Sequence, residues 1–175
     1  MKKRISFLCL LLVLLLSACS LAEAWDPEVA ALTLLPQEAA AQAGEIPLYA
    51  GPTAQFPQVG MIDLSEPFVF LGQADCWAFV AAGTPEAAGI FGWIQASAAA
   101  FPEEPELLFE DAVPVDLMED TFLTAEPFAE EPSRLAELPA GTRVTLLATL
   151  GEWGYAQVEI DAVPYRGFLP LDSFL

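Results

Sequence analysis

Apolar residues in this chain come in short runs broken by turn residues. The first series falls at 46–50, 59–61, 67–71, 77–82 and 90–94, with turn signals at Gly51-Pro52, Gly72 to Asp75 and Gly83-Thr84-Pro85. Short apolar runs at such spacing predict the strands of a small β sandwich or barrel. A second series follows at 121–125, 135–138 and 143–148, the last with Val144 and Leu146 on one face. It continues from Trp153 to Ile160, turns around Asp161–Pro164 and closes in Gly167-Phe168-Leu169-Pro170. The final residues, 171–175, predict a short helical or 3-10 turn. The fold class expected is all-β.

The two series share a skeleton. Residues 75–94 read DCWAFVAAGTPEAAGIFGWI and residues 152–170 read EWGYAQVEIDAVPYRGFLP. Trp77 and Trp153 stand 76 residues apart, and Gly92 and Gly167 stand 75 apart. This predicts two copies of one β module, at 45–97 and 121–175, joined by an acidic, proline-rich linker at 98–120. Each copy has only about 55 residues, too few for a large core of its own. The modules are therefore expected to pack on each other or on the linker, helped by the aromatic residues Phe68, Phe70, Trp77, Phe79, Phe91 and Trp93. In the linker Leu107, Leu108 and Phe109 are too apolar to be free. Residues 20–44 read as a tether. Val29, Leu32 and Leu35 have helical spacing there, so one short helix ending at Pro36 is allowed.

The first nineteen residues are of another kind. Lys2, Lys3 and Arg4 precede an apolar run at 5–16, 12 residues long. A stable membrane span needs about 20, but the run suits a cleaved signal peptide. It ends in Leu16-Ser17-Ala18-Cys19, which resembles the lipobox of bacterial lipoproteins. The resemblance implies that 1–19 is the signal and that Cys19 becomes an acylated N-terminus (diacylglycerol, palmitate-type chains). The protein would then be lipid-anchored to the cell membrane on its extracytoplasmic face, at the cell surface or in the periplasm. Two or three acyl chains anchor durably where one would not.

Charge narrows the partners. The chain has 25 acidic and 6 basic residues. Without the leader only Arg134, Arg143 and Arg166 remain against all 25 acids, a net charge of about −22. Phosphate backbones repel such a chain, so no nucleic acid is expected. Anionic headgroups repel it too, which leaves attachment to the acyl anchor. The acidity suits a solvated surface or a cationic partner. There is no histidine, which removes the commonest general base and metal ligand. Cys76 has no intramolecular disulfide partner once Cys9 leaves and Cys19 is lipidated, and it is expected as a small buried apolar residue. No EF-hand spacing or phosphate-binding glycine loop occurs, and carboxylate pairs such as Glu103–Glu104 lie in proline-rich loops. No cofactor, no metal and no enzymatic activity is expected.

The repeated elements resemble bacterial SH3-like domains. In the first copy the matching residues are Leu48-Tyr49-Ala50-Gly51-Pro52, Val59-Gly60, Trp77 and Gly92-Trp93-Ile94. In the second they are Phe122-Leu123-Thr124-Ala125-Glu126-Pro127, Leu138-Pro139-Ala140-Gly141-Thr142, Trp153 and Gly167-Phe168-Leu169-Pro170. The resemblance implies two small, strongly bent β-barrels in tandem that bind something, in many members cell-wall peptidoglycan. Candidate ligand-binding residues are Tyr49, Phe56, Trp77 and Trp93 in the first module, and Phe128, Trp153, Tyr155, Tyr165 and Arg166 in the second. Aromatic faces stack on sugar rings and prolines; the same rings are equally the core of an undersized domain. Arg166 either receives a carboxylate ligand or pairs with Asp161 or Glu159. The function expected is a membrane-anchored, non-enzymatic binding lipoprotein that recognises a cell-envelope component, either peptidoglycan peptide or glycan or an envelope protein. The alternative is an accessory subunit docking its acidic surface onto a basic envelope protein.

Overall fold

The computed structural model describes residues 28–37, 44–101, 109, 111–128 and 132–174. The leader with Cys19, and Glu103, Glu104, Leu107 and Leu108 of the linker, lie outside them. Among the described residues every regular element is a strand or a 3-10 turn.

The chain is all-β, as the apolar runs predict. Strands β1 (Leu35–Gln37), β2 (Glu45–Tyr49), β3 (Gln58–Asp63), β4 (Phe68–Ala74), β5 (Trp77–Thr84) and β6 (Ala87–Gln95) form one antiparallel sheet in the order β1-β4-β5-β6-β2-β3. Strands β7 (Val113–Asp116), β8 (Thr121–Thr124), β9 (Arg134–Leu138), β10 (Arg143–Leu150), β11 (Trp153–Ile160) and β12 (Val163–Pro170) form a second in the order β7-β10-β11-β12-β8-β9, the same topology. A 3-10 turn ends each copy, at Ala96–Ala98 and Leu171–Phe174.

The repetition extends to the irregularities. The fourth strand bulges between Phe70 and Gly72 in one copy and between Leu146 and Ala148 in the other. The third strand carries an extra residue, Val59 opposite the Leu48–Tyr49 step and Leu135 opposite the Leu123–Thr124 step. Each sheet closes through one residue pair, Tyr49 with Trp93 and Thr124 with Phe168. The register therefore makes Phe79 equivalent to Tyr155, Phe91 to Arg166, Trp93 to Phe168 and Tyr49 to Thr124.

The closure explains the recurrent glycine. A Cβ on Gly92 would lie 2.8 Å from Leu48 Cβ, and one on Gly167 would lie 2.6 Å from the Thr124 carbonyl oxygen. Only a residue without a side chain lets the second strand cross so closely over the last.

The structure departs from expectation upstream of each copy. No helix forms in residues 28–37: Glu28 and Val29 bend, Ala31 makes an isolated bridge, and Leu35–Gln37 is strand β1, not a helix end. The three apolar residues that suggest a helix serve different neighbours. Val29 packs on the second module's core, Leu32 on a core between the modules, and Leu35 is 42% exposed. Residues 113–116 of the linker likewise form β7, paired with β10. Both strands are short and sit at a sheet edge with a central proline, Pro36 and Pro114, where a missing N–H is tolerated.

Three cores result. One lies inside the first module, around Leu48, Ile62, Phe70, Val80 and Ile94. A second lies inside the other module, around Leu123, Val144, Leu146, Val158 and Leu169. The third joins them, with Phe79, Phe91, Trp93, Tyr155 and Phe168. Strand β5 feeds two of them: Ala78 and Val80 point inward while Phe79 and Ala81 point to the junction. That is the period-2 alternation of a strand, and burial of both faces is why 77–82 reads as a continuous apolar run.

One turn carries a removable strain. Asp161 and Ala162 link β11 to β12 with φ of 51° and 63°. A two-residue hairpin with both φ positive is the type I′ geometry that prefers glycine at its second position. Ala162→Gly is expected to raise stability by about 0.5–1 kcal/mol, read as a higher urea midpoint at unchanged slope.

Candidate functional site

Aromatic side chains gather at the junction between the modules and along a groove on each module.

The junction is reciprocal. The equivalent rings of Phe79 and Tyr155 stack at 4.6 Å between centroids. Phe91 meets Phe168 edge-on at 5.0 Å, and the same pair with the modules exchanged is Arg166 over Trp93 at 5.8 Å. The Phe91 N–H donates to the Ala125 carbonyl at 3.2 Å, while the Tyr155 hydroxyl donates to Ala50, the residue equivalent to Ala125, at 3.4 Å. Such exchange of contacts is the mark of an isologous interface with an approximate two-fold axis, here running by the Phe79–Tyr155 pair.

Trp93 and Tyr155 are spent on this junction. Trp93 is 0% exposed, and its indole N–H donates to the Tyr155 hydroxyl at 2.8 Å. Burial pushes the Tyr155 phenol up to about 12, against the opposing pull of the Arg166 charge and the Trp93 hydrogen bond. The hydroxyl therefore stays protonated and keeps donating to Ala50. These two candidate ligand residues are core.

Arg166 pairs with neither Asp161 nor Glu159. Its Nε donates to Gln157 Oε1 at 2.7 Å. The register decides this: Gln157 faces Arg166 directly across the hairpin, whereas Glu159 faces Pro164. The guanidinium is boxed by the rings of Phe56, Phe109 and Trp93 at 5.4, 5.5 and 5.8 Å. Burial pushes its pKa down, and its Nη1 is buried with no hydrogen-bond partner. Phe109, from the linker, closes this box and also contacts Tyr155.

The two loop phenylalanines differ for a local reason. Phe56 folds onto Gly51 so closely that a Cβ there would sit 2.4 Å from the ring. In the second module Glu126 occupies the position of Gly51. Its carboxylate accepts hydrogen bonds from the Ser133 N–H and hydroxyl and ties the loop across its base. Phe128 has no such seat; it is 51% exposed and touches Phe91 edge-on. Tyr165 is half-buried against the second module's own core. Cys76, expected to be buried, is exposed in the two-residue link between β4 and β5.

Tyr49, Trp77 and Trp153 line open grooves. In the first module Ile46, Pro47 and Tyr49 of β2 face Trp77, which meets Tyr49 edge-on at 5.6 Å. Gln95 and the 3-10 turn residues Ser97 and Ala98 complete a groove of about 430 Å³. In the second module Thr121, Phe122 and Thr124 of β8 face Trp153 and Pro170, in a groove of about 490 Å³. By the sheet register Thr121, Phe122 and Thr124 are the counterparts of Ile46, Pro47 and Tyr49, and Pro170 of Gln95. The two grooves are one site, built twice. The second also has Pro132 and Arg134 in its wall.

The grooves differ in charge. The first has no ionisable wall residue except the Tyr49 phenol. In the second the Arg134 guanidinium lies over the Phe122 ring, 3.7 Å from its centroid. Arg143, by contrast, is engaged on both sides by Asp116, with Nε and Nη2 each 2.8 Å from a carboxylate oxygen. The Arg143 hydrogen bond holds Asp116 below the usual carboxylate range. Among the described residues no group of three His, Cys, Asp or Glu stands close enough to hold a metal ion. None of their helices is long and apolar enough to cross a membrane.

Sequence reasoning missed Phe122 and Arg134. The signal was present, because Phe122 stands at the repeat position of Pro47, beside Tyr49 among the candidates.

No family model matches the chain, and no curated protein matches it. Among solved structures it is similar to NlpC1 from Trichomonas vaginalis, at 14% identity over 85% of this chain and 47% of that one, with a TM-score of 0.32. The chain thus spans about half the length of that protein, and a likeness at that TM-score carries no argument about what either groove binds.

Proposed function

We propose that this chain is a non-enzymatic binding lipoprotein with two SH3-like modules, held at the extracytoplasmic face of the membrane through Cys19, whose grooves recognise a component of the cell envelope. The observation that carries the reading is the duplicated groove. A core residue recurs because a barrel must be closed the same way twice. Half-buried Trp77 and Trp153 touch the junction core on one side, but the closure pairs are Tyr49–Trp93 and Thr124–Phe168, and each tryptophan also faces its second strand across an open groove. An aromatic platform with few polar groups around it is how concave sites hold sugars and short peptides. The lipobox-like Leu16-Ser17-Ala18-Cys19 supports the location.

Sedimentation of the mature chain with purified peptidoglycan tests this. The wild type is expected in the pellet, and Trp77→Leu/Trp153→Leu, which keeps apolar bulk, is expected to lose at least tenfold in retention while its circular dichroism stays unchanged. A wild type that remains in the supernatant at low and high salt overturns wall binding. The net charge of the mature chain favours the second reading, an acidic subunit on a basic partner. That mode would weaken steeply with salt, whereas stacking in the grooves would not.

A further inference from the structure

We propose that the second module's groove is a carboxylate-binding subsite, anchored by Arg134, for a peptide ending in a free carboxylate, and that the first module's groove is not. The inference deepens the reading of the grooves as ligand sites and rests on it.

Three arginines stand among the described residues, and two are engaged elsewhere: Arg143 by the Asp116 carboxylate, and Arg166 by Gln157 and a box of rings. Arg134 makes no ion pair among the described residues, in a chain with 25 acids. Among the described residues it is the exposed arginine without a carboxylate partner, and it stands in the wall of a concave site.

Its setting favours planar anions. The guanidinium carbon lies 3.7 Å from the Phe122 ring centroid, a cation–π contact that holds the side chain against the ring. That contact occupies a π face and leaves the N–H edge free to meet two oxygens at once, the fork that suits a carboxylate. Pre-orientation lowers the entropy cost of holding a long side chain for a ligand. Across the same groove lies the Trp153 ring, with Pro170 beside it. A peptide whose terminal carboxylate meets Arg134 can lay its last residues on that ring. In the first groove no cation occurs in the wall. The same peptide gains only stacking there. One site built twice has thus diverged in charge, so the two modules read different parts of a ligand.

The probe is acetyl-Ala-Ala-Ala with a free carboxylate, compared with its C-terminal amide, titrated into the mature chain and followed by the indole N–H resonances. The acid is expected to move the Trp153 resonance and to bind at least tenfold more tightly than the amide. Arg134→Gln is expected to erase that difference. Arg134→Lys, which keeps the charge without the fork, is expected to retain only part of it. Arg134 is exposed, so these variants fold. Equal binding of acid and amide, wild-type affinity in Arg134→Gln, an equal shift of Trp77, or no shift at Trp153 would each overturn the proposal. Failure here with the wild type still pelleted by peptidoglycan sinks the carboxylate subsite alone. Failure in both sinks the groove reading as well.

Discussion

Trp93→Ala is expected to destabilise the chain by about 4 kcal/mol, the largest loss from any single truncation in the fold. Removing a fully buried tryptophan costs about 3–5 kcal/mol through lost transfer energy and the cavity left behind. Trp93 is 0% exposed and stacks on Phe79 at 5.0 Å between centroids. Its indole also donates to the Tyr155 hydroxyl, which is then left without that donor inside the protein. A domain of this size has about 5–15 kcal/mol in all, so the loss is a large share. Because Trp93 belongs to both the first module's last strand and the junction, its removal also weakens coupling between the modules. Urea unfolding checks both effects: the wild type should unfold in one transition, and Trp93→Ala should show a lower midpoint with a broadened or split transition. A loss below about 1.5 kcal/mol with a single sharp transition would contradict the junction described here.

Gly167→Ala should cost about 2–3 kcal/mol, the usual upper range for forcing extra volume into a packed interior. The added Cβ would stand 2.6 Å from the Thr124 carbonyl oxygen and 2.9 Å from Leu123 Cγ. The first contact is with backbone, which cannot rotate away. Strand β8 cannot retreat cheaply either. It is held by its pairing with Phe168 and by the Thr124 hydroxyl, which donates to the Phe168 carbonyl at 3.2 Å. Gly89→Ala is the control: its nearest neighbour would be 3.6 Å away, in ordinary contact, and no change beyond about 0.5 kcal/mol is expected. Equal effects at the two glycines would mean that the strand crossing is looser than described.

The duplicated fold was legible because its cause is local and repeats. The glycine before the last aromatic residue is required by the closure, and the tryptophan opening the fifth strand borders the same groove in each copy, so both recur at one period. The edge strands β1 and β7 were not legible. Three or four residues around a proline have neither the length nor the alternation of a strand, and their partners stand more than 25 residues further on, at β4 and β10. The site was half legible. Aromatic residues are visible in sequence, but which face of a strand they occupy depends on what packs there. Trp153 and Tyr155 stand two apart on one face of β11, and nothing in the sequence tells that the first borders a groove while the second stacks on Phe79 and bonds Trp93 across the junction. Cys76 was misjudged because an apolar neighbour, Trp77, suggested a strand start, whereas the two-residue link turns the thiol outward. Arg134 was invisible as a binding residue because its significance lies in having no carboxylate partner among the described residues, and that is a fact of three-dimensional neighbourhood.

Residues 30–32 attach to the second module before the chain enters the first. The Leu32 N–H donates to the Thr149 carbonyl at 2.7 Å, and the Thr149 N–H donates to the Ala30 carbonyl at 2.9 Å. Mechanical load arriving along the polypeptide from residue 28 therefore meets β10 first. The two hydrogen bonds at Thr149 and the seated Leu32 side chain would rupture before tension reached β1 and the first sheet. Under the anchoring proposed through Cys19, the segment would work as a strain relief: a tug would be borne by the farther module, and the nearer groove would keep its shape until that grip gave way.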